Sequence, residues 1–93
     1  MTSPGALLDA MRALVTRVAG PSRAPAESGP DTPLSEGGFW LDLVELLEVV
    51  VACESEFDIT FDATRDFAGD AFATLGTLAA LVDRKRAAVR VGP

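Results

Sequence analysis

The chain of 93 residues contains no histidine, no tyrosine and a single cysteine, Cys53. One cysteine cannot form an intramolecular disulfide, and without an imidazole or a second thiolate the usual zinc sites are excluded. Carboxylates could still bind a hard cation, but the Asp-x-Asp-x-Asp-Gly pattern of a calcium loop is missing. We therefore expect no metal site.

The same absences restrict catalysis. Without histidine or tyrosine, with one cysteine that we expect to be buried, and without a glycine-rich phosphate loop, mainly carboxylates remain for chemistry. Glu45 and Glu48 share one face of a predicted helix, but acids three residues apart on an exposed helix are usually only solvated. We interpret the chain as a non-enzyme.

Long apolar segments are also missing. A transmembrane helix needs about eighteen apolar residues or more, and no apolar cluster here is longer than that of residues 49–53, which is far shorter. Met1 is followed by residues 2–4 (Thr-Ser-Pro) rather than by a basic segment and an apolar stretch, so we expect no secretory signal. The expected location is the cytoplasm, with no membrane partner.

Basic residues are almost absent from the middle of the chain. Residues 31–70 contain eleven acids and one base, Arg65, and so carry a charge of −10 in a chain of net charge −6. An acidic centre repels nucleic acid and attracts basic protein surfaces. The alternative is that these acids only keep a helical domain soluble, which is the commoner meaning of a charge run.

Apolar spacing predicts an all-α fold with three long helices and one short one. Helix I occupies residues 1–19, beginning near Pro4, and a Pro- and Gly-rich loop follows over residues 20–38. Helices II to IV of the same single domain occupy residues 39–88, and residues 89–93 form a tail. The prediction is a four-helix bundle with a long first loop.

Helix II has an unusual apolar pattern. It is predicted to begin at Asp42, which can cap its first N–H groups, and to run to about Glu56. Two apolar stripes can be drawn along it, more than one core-facing side requires. The first stripe consists of Leu46, Val49 or Val50, Cys53 and Phe57, and the second consists of Val44, Leu47 and Val51.

Residues outside the long helices are predicted to complete the core. They are Leu34 in the first loop and Ile59, Phe61 and Phe67 after helix II. Phe67 belongs to a short helix over residues 63–68. Thr74 is expected to cap the last helix, whose basic residues lie at its C-terminal end, where the helix dipole favours positive charge.

Between residues 31 and 87, several short motifs follow one another in a definite order. They are Thr32-Pro33-Leu34, Glu36-Gly37-Gly38, Asp42, Leu46-Leu47-Glu48, residues 54–59 and residues 72–78 (Phe-Ala-Thr-Leu-Gly-Thr-Leu). In this order the motifs resemble the acyl and peptidyl carrier proteins, a family in which a Gly-x-Asp-Ser-hydrophobic signature carries the serine that receives a phosphopantetheine arm. Asp42 matches the aspartate, but Leu43 stands at the serine and Trp40 takes the place of the glycine.

A second alignment to the same family is possible. It matches residues 41–46 (Leu-Asp-Leu-Val-Glu-Leu) to the family's own Leu-Asp-x-Val-Glu-Leu and puts Trp40 at the serine. It needs about three extra residues before Phe57, and an insertion inside a helix rotates everything beyond it. The gapless alignment on Leu43 is therefore preferred. Neither alignment finds a serine, and because leucine has no nucleophilic oxygen, no cofactor is expected; serine at position 43 would imply phosphopantetheine.

The resemblance also implies a docking surface on helix II, which carrier proteins present to basic patches of their enzymes. The matching positions are Asp42, Val44, Leu47, Glu48, Val51 and Glu54. Charge steers such an encounter and an apolar stripe holds it. Phe39, Trp40 and Leu43 would extend the stripe into one patch, which usually marks a binding surface if exposed. The alternatives are that Trp40 folds into the core and that helix II is simply packed and solvated.

We interpret the chain as a carrier-like protein without the attachment serine, acting by non-covalent docking as an accessory protein in a biosynthetic pathway. By resemblance the setting is natural-product or fatty-acid biosynthesis, and the partner is the basic surface of a synthase or transferase rather than nucleic acid. The alternative is a conventional acyl or peptidyl carrier whose serine was replaced at position 43. An unrelated acidic helical bundle remains a third interpretation.

Overall fold

The computed structural model describes residues 4–20, 22–25, 27–67 and 69–91. In chain order its helices are α1 (Pro4–Ala19), α2 (Leu43–Phe57), α3 (Ala63–Asp66) and α4 (Leu75–Val91). The described residues form no β-strand, only an isolated bridge between Pro33 and Thr74. The all-α prediction is confirmed. Within the same residues, no helix has both the length and the apolar composition needed to cross a bilayer.

The core lies where α1, α2 and α4 meet, and each of these helices contacts the other two. Its largest fully buried side chains are Met11, Leu14 and Val15 from α1, Val49 and Cys53 from α2, Leu75, Leu78 and Val82 from α4, and Leu34 and Phe39 from the first loop. The sulfur of Cys53 lies 3.8 Å from the sulfur of Met11, and burial raises the pKa of the Cys53 thiol to about 12. Cys53 is a core residue, as predicted.

The first loop returns to the core through Leu34, which is fully buried as predicted. Its carbonyl accepts the N–H of Leu41 at 2.9 Å. At Gly38 the chain runs so close to itself that a Cβ would lie 1.9 Å from the carbonyl oxygen of Pro33. The N–H of Phe39 donates to that same oxygen at 3.1 Å. Glycine at position 38 is therefore what allows the loop to fold back immediately before α2.

The segment after α2 fills the core as predicted. Asp58 ends the helix in the left-handed conformation, with φ of 55°. Ile59 and Phe61 then bury their side chains. The N–H of Phe61 donates to the carboxylate of Glu54 at 2.9 Å, which fixes the turn to the last part of α2.

The short helix α3 differs from the prediction in two respects. It ends at Asp66, earlier than the predicted range 63–68. Phe67 is 40% exposed rather than buried, and its ring stacks on the ring of Phe72 with 4.7 Å between centroids. The attachment of α3 to α4 is ionic instead, through a 2.7 Å contact between Asp66 and Lys85.

The start of α4 agrees with the prediction, but its end does not. The Oγ1 of Thr74 accepts the N–H of Thr77 at 3.1 Å, as an N-cap does. The helix continues to Val91, and residues 77–91 contain no glycine or proline that would end it earlier. Residues 84–86 consequently lie inside the helix rather than at its end, and residues 89–91 of the predicted tail 89–93 are helical.

Candidate docking face on helix α2

Five large apolar side chains lie on the surface at the start and along one side of α2. Their exposed fractions are 57% for Trp40, 72% for Leu43, 64% for Val44, 49% for Leu47 and 64% for Val51. We call these five residues the α2 face. The opposite side of the helix packs into the core through Val49, Val50 and Cys53. The two apolar stripes of the sequence therefore have different environments, one buried and one exposed.

The exposure of Trp40 decides between the two interpretations of that residue. Phe39 and Leu41, its chain neighbours, are both buried, whereas Trp40 is not. Trp40 adopts the left-handed conformation, with φ of 58°, between them. The predicted patch is therefore corrected at one position: Phe39 is 1% exposed and belongs to the core.

Two grooves run along the α2 face and share Leu47. The larger has a volume of about 570 Å³ and is lined by Leu43, Leu46, Leu47, Phe67, Gly69, Asp70, Phe72 and Ala73. The other is shallower, about 440 Å³, and is lined by Val44, Leu47, Glu48, Val51, Ala52 and Ser55. In the described part of the chain, both grooves are walled mainly by apolar side chains, with carboxylates and no lysine or arginine.

The start of α2 is fixed by a capping box. The carboxylate of Asp42 accepts the N–H of Glu45 at 2.8 Å, and the carboxylate of Glu45 accepts the N–H of Asp42 at 3.1 Å. Leu43 is thus the first residue of the helix. Asp42 has its predicted capping role, and a partner would meet it as part of the helix start rather than as an isolated charge.

Arg23, which the sequence did not single out, joins the first loop to this helix start. Its guanidinium forms a two-pronged ion pair with Glu45, donating to one oxygen at 2.8 Å and contacting the other as well. It also donates to the carbonyl of Trp40 at 3.3 Å and, through Nε, to the carbonyl of Ala19 at 2.9 Å. The hydrogen bond from Arg23 is the main reason that the pKa of Glu45 falls to about 2.

The two acids predicted to flank the docking surface have different roles. Glu48 is exposed beside Val44, Leu47 and Val51, and has no ion-pair partner among the described residues. Glu54 is half-buried, and its carboxylate accepts the Phe61 N–H. Glu48 is available to a partner, whereas Glu54 already serves the fold.

Among the described residues, no three cysteine, aspartate or glutamate side chains lie close enough together to hold a metal ion. Comparisons of the sequence with protein-family models and with curated proteins, and of the fold with solved structures, give no match. The function is therefore inferred from the chemistry of the α2 face.

Proposed function

We propose that this chain is a carrier-protein-like docking protein that binds the basic surface of a biosynthetic synthase or transferase through the α2 face, without a phosphopantetheine arm. The observation that carries the proposal is the exposure of five large apolar side chains on one face, whose two grooves are lined by apolar residues and carboxylates and by no described lysine or arginine. Monomeric soluble proteins rarely expose a contiguous apolar surface of this kind unless it binds something.

The composition of the face favours a basic protein partner. Its apolar side chains would lose contact with water on binding, which is the main driving force of association. Glu48 lies beside them in an acidic segment, so long-range attraction would bring a positively charged surface to this side of the molecule. Trp40 has the size and amphipathic character of side chains that dominate binding energy at interfaces.

The place of Leu43 supports the absence of an arm. Leu43 follows the N-cap Asp42 directly and is the first residue of α2, which is where the resemblance puts the attachment serine. The leucine side chain has no oxygen atom that could form a phosphodiester. Instead it adds apolar area to the face, since 72% of it is exposed.

The proposal can be tested by capturing partners from the native host and identifying them by mass spectrometry. Trp40→Ala removes the largest apolar side chain of the face, and Glu48→Lys reverses its unpaired charge. Asp83→Lys is the matched control, because Asp83 is exposed and borders a different groove, between α1 and α4. We expect a synthase or transferase with a basic surface, lost with both face variants and retained with the control. Equal capture by all four proteins would refute docking through α2.

A second candidate function is a conventional carrier whose serine has been replaced. The exposure of Leu43 at the helix start favours it, because a transferase could reach that position. The test is Leu43→Ser incubated with coenzyme A and a promiscuous phosphopantetheinyl transferase, with wild type as control. A mass increase of one phosphopantetheine group in the variant alone supports this candidate. An unmodified variant eliminates it.

A further inference from the structure

The main chain at Trp40 has an uncommon conformation for its residue type. Its φ of 58° lies in the left-handed region, which bulky side chains rarely adopt. Such a conformation persists only where surrounding contacts impose it, and it is often found where a side chain must be presented for binding. At position 40 the side chain so presented is the largest of the α2 face.

Two hydrogen bonds hold this residue, one on each side of its Cα. The N–H of Trp40 donates to the carbonyl of Ser35 at 2.9 Å, within the first loop. The carbonyl of Trp40 accepts from the guanidinium of Arg23 at 3.3 Å. The second bond comes from a distant part of the chain, so Trp40 depends on how Arg23 is placed.

Arg23 is itself fixed at both ends of its guanidinium. Its Nε donates to the carbonyl of Ala19, the last residue of α1, and its terminal nitrogens contact Glu45 in the first turn of α2. Glu45 in turn belongs to the capping box of that helix. The end of α1, the main chain of Trp40 and the start of α2 are therefore connected through one planar group.

We propose that Arg23 is a positioning residue of the docking face: it holds the main chain of Trp40 so that the indole has one orientation before a partner arrives. This inference rests on the proposed docking function. Ordering a side chain in advance removes part of the entropy loss on binding. Lysine is a poor replacement, because its compact ammonium lacks the flat fork of donors that reaches two groups in different directions.

The experiment uses the isolated protein. Trp40 is the single tryptophan and the chain has no tyrosine, so the fluorescence excited at long wavelength belongs to Trp40 alone. Time-resolved anisotropy reports how much of that signal depolarises by local motion on the nanosecond timescale. Arg23→Gln is compared with Arg17→Gln, which breaks the exposed ion pair between Arg17 and Glu56. Arg23→Lys tests for rescue, and far-UV circular dichroism confirms that each variant is helical.

We expect a larger fast-depolarising fraction in Arg23→Gln, only partial recovery in Arg23→Lys, and the wild-type decay in Arg17→Gln. Glu45→Gln keeps Arg23 but removes the charge of its ion-pair partner, so it should show a decay between those of wild type and Arg23→Gln. This variant replaces Arg23→Gln in the experiment if Arg23→Gln does not fold. A wild-type decay in the folded Arg23 or Glu45 variants overturns the inference.

The captured partner supplies the functional measurement. Arg23→Gln should weaken its binding while Arg17→Gln leaves it unchanged. If Trp40 becomes mobile and binding is unaffected, Arg23 has no positioning role, although docking stands as long as Trp40→Ala weakens binding. If neither Trp40→Ala nor Glu48→Lys weakens binding, the docking function itself fails. That failure is seen in the binding of the face variants, whereas failure of the Arg23 inference is seen in the anisotropy decay of the Arg23 variants.

Discussion

At the scale of single residues, the main-chain conformation at position 40 should make a glycine variant more stable than an alanine variant, the opposite of the order inside a helix. A left-handed conformation costs a residue with a Cβ about 1–2 kcal/mol, whereas glycine adopts it freely. We predict that Trp40→Gly is more stable than Trp40→Ala by about 1 kcal/mol in urea unfolding followed by circular dichroism. The hydrogen bonds to the main chain of position 40 are the same in both variants, so the comparison isolates the conformation.

A matched control for this comparison lies in α1. Ala13 is exposed in the middle of a regular helix, and Ala13→Gly should lower stability by about 0.5–1 kcal/mol. The sign of the alanine-to-glycine change is therefore opposite at the two positions. If alanine equals or exceeds glycine at position 40 as well, the main chain there is not left-handed.

Glu45 gives a prediction about acid stability. Its pKa is lowered from 4.5 to about 2, chiefly by the hydrogen bond from Arg23. A folded-state pKa below the unfolded value means that the stabilisation is present above about pH 4.5 and is lost as the pH falls towards 2. We therefore expect the urea midpoints of wild type and Glu45→Gln to differ at neutral pH and to converge across that window.

The same titration in an Arg23→Gln background is the control for this pH dependence. Without the guanidinium, replacing Glu45 should change the midpoint much less, because the two residues act as a pair. A difference between wild type and Glu45→Gln that persists unchanged down to pH 2 would contradict the assignment.

The sequence predicted some of these residue roles and could not predict others. Asp42 was identified as a cap because the preference is local: its carboxylate needs only the next few N–H groups. The pairing of Arg23 with Glu45 spans 22 positions, and it depends on how a Pro-rich loop returns to the bundle. No local pattern encodes that return, so neither Arg23 nor the conformation of Trp40 could be inferred.

At the scale of elements, α2 carries more apolar residues than the core can use. Spacing alone separated its two stripes, and the structure buries one and exposes the other. Helical spacing does not apply to the residues before the helix, so it could not predict which of them join the exposed stripe. Whether the side chains of Phe39 and Trp40 are buried or exposed depends on the conformation of the loop. Phe67 is predicted to be the residue through which the short helix over residues 63–68 packs, but its side chain is 40% exposed and its ring stacks on that of Phe72.

Two neighbouring valines test this division of α2. Val50 is 8% exposed and Val51 is 64% exposed in the same helix. We expect Val50→Ala to reduce the free energy of unfolding by about 1.5–3 kcal/mol, since it removes buried methyl groups and leaves a cavity. Val51→Ala should stay within about 0.5 kcal/mol of wild type. Similar losses for both variants in urea unfolding would show that the α2 face is covered.

At the scale of the whole molecule, Cys53 reports on the integrity of the core. Its sulfur lies in the contact between α1 and α2, and burial raises the pKa of its thiol to about 12. Because the thiolate is the reactive form, we predict that a disulfide reagent at pH 8 labels the native protein only through unfolding, and the denatured protein at once. Rapid labelling of the native protein, measured by absorbance, would contradict this packing.

Charge is the other property of the whole chain, and it was readable from the sequence. The acidic middle of the chain predicted attraction to a basic surface, but composition could not show which acids are free. In the structure Glu45 is paired with Arg23 and Glu54 accepts a main-chain N–H, whereas Glu48 is unengaged among the described residues. The contribution of an acidic residue to docking therefore depends on the partners that the fold gives its side chain, and not on the number of acids in the sequence.

Titration of Trp40 fluorescence with the purified partner, at increasing concentrations of sodium chloride, tests docking through α2 most directly. Trp40 is exposed and is the sole tryptophan of this chain. The emission of Trp40 can therefore be followed alone if the partner has no tryptophan or if the constant emission of the partner is subtracted. We predict a saturable shift to shorter wavelength, with an apparent Kd that rises with salt and rises further in Glu48→Lys but not in Asp83→Lys. Partner binding that leaves the emission of Trp40 unchanged would contradict docking through the α2 face.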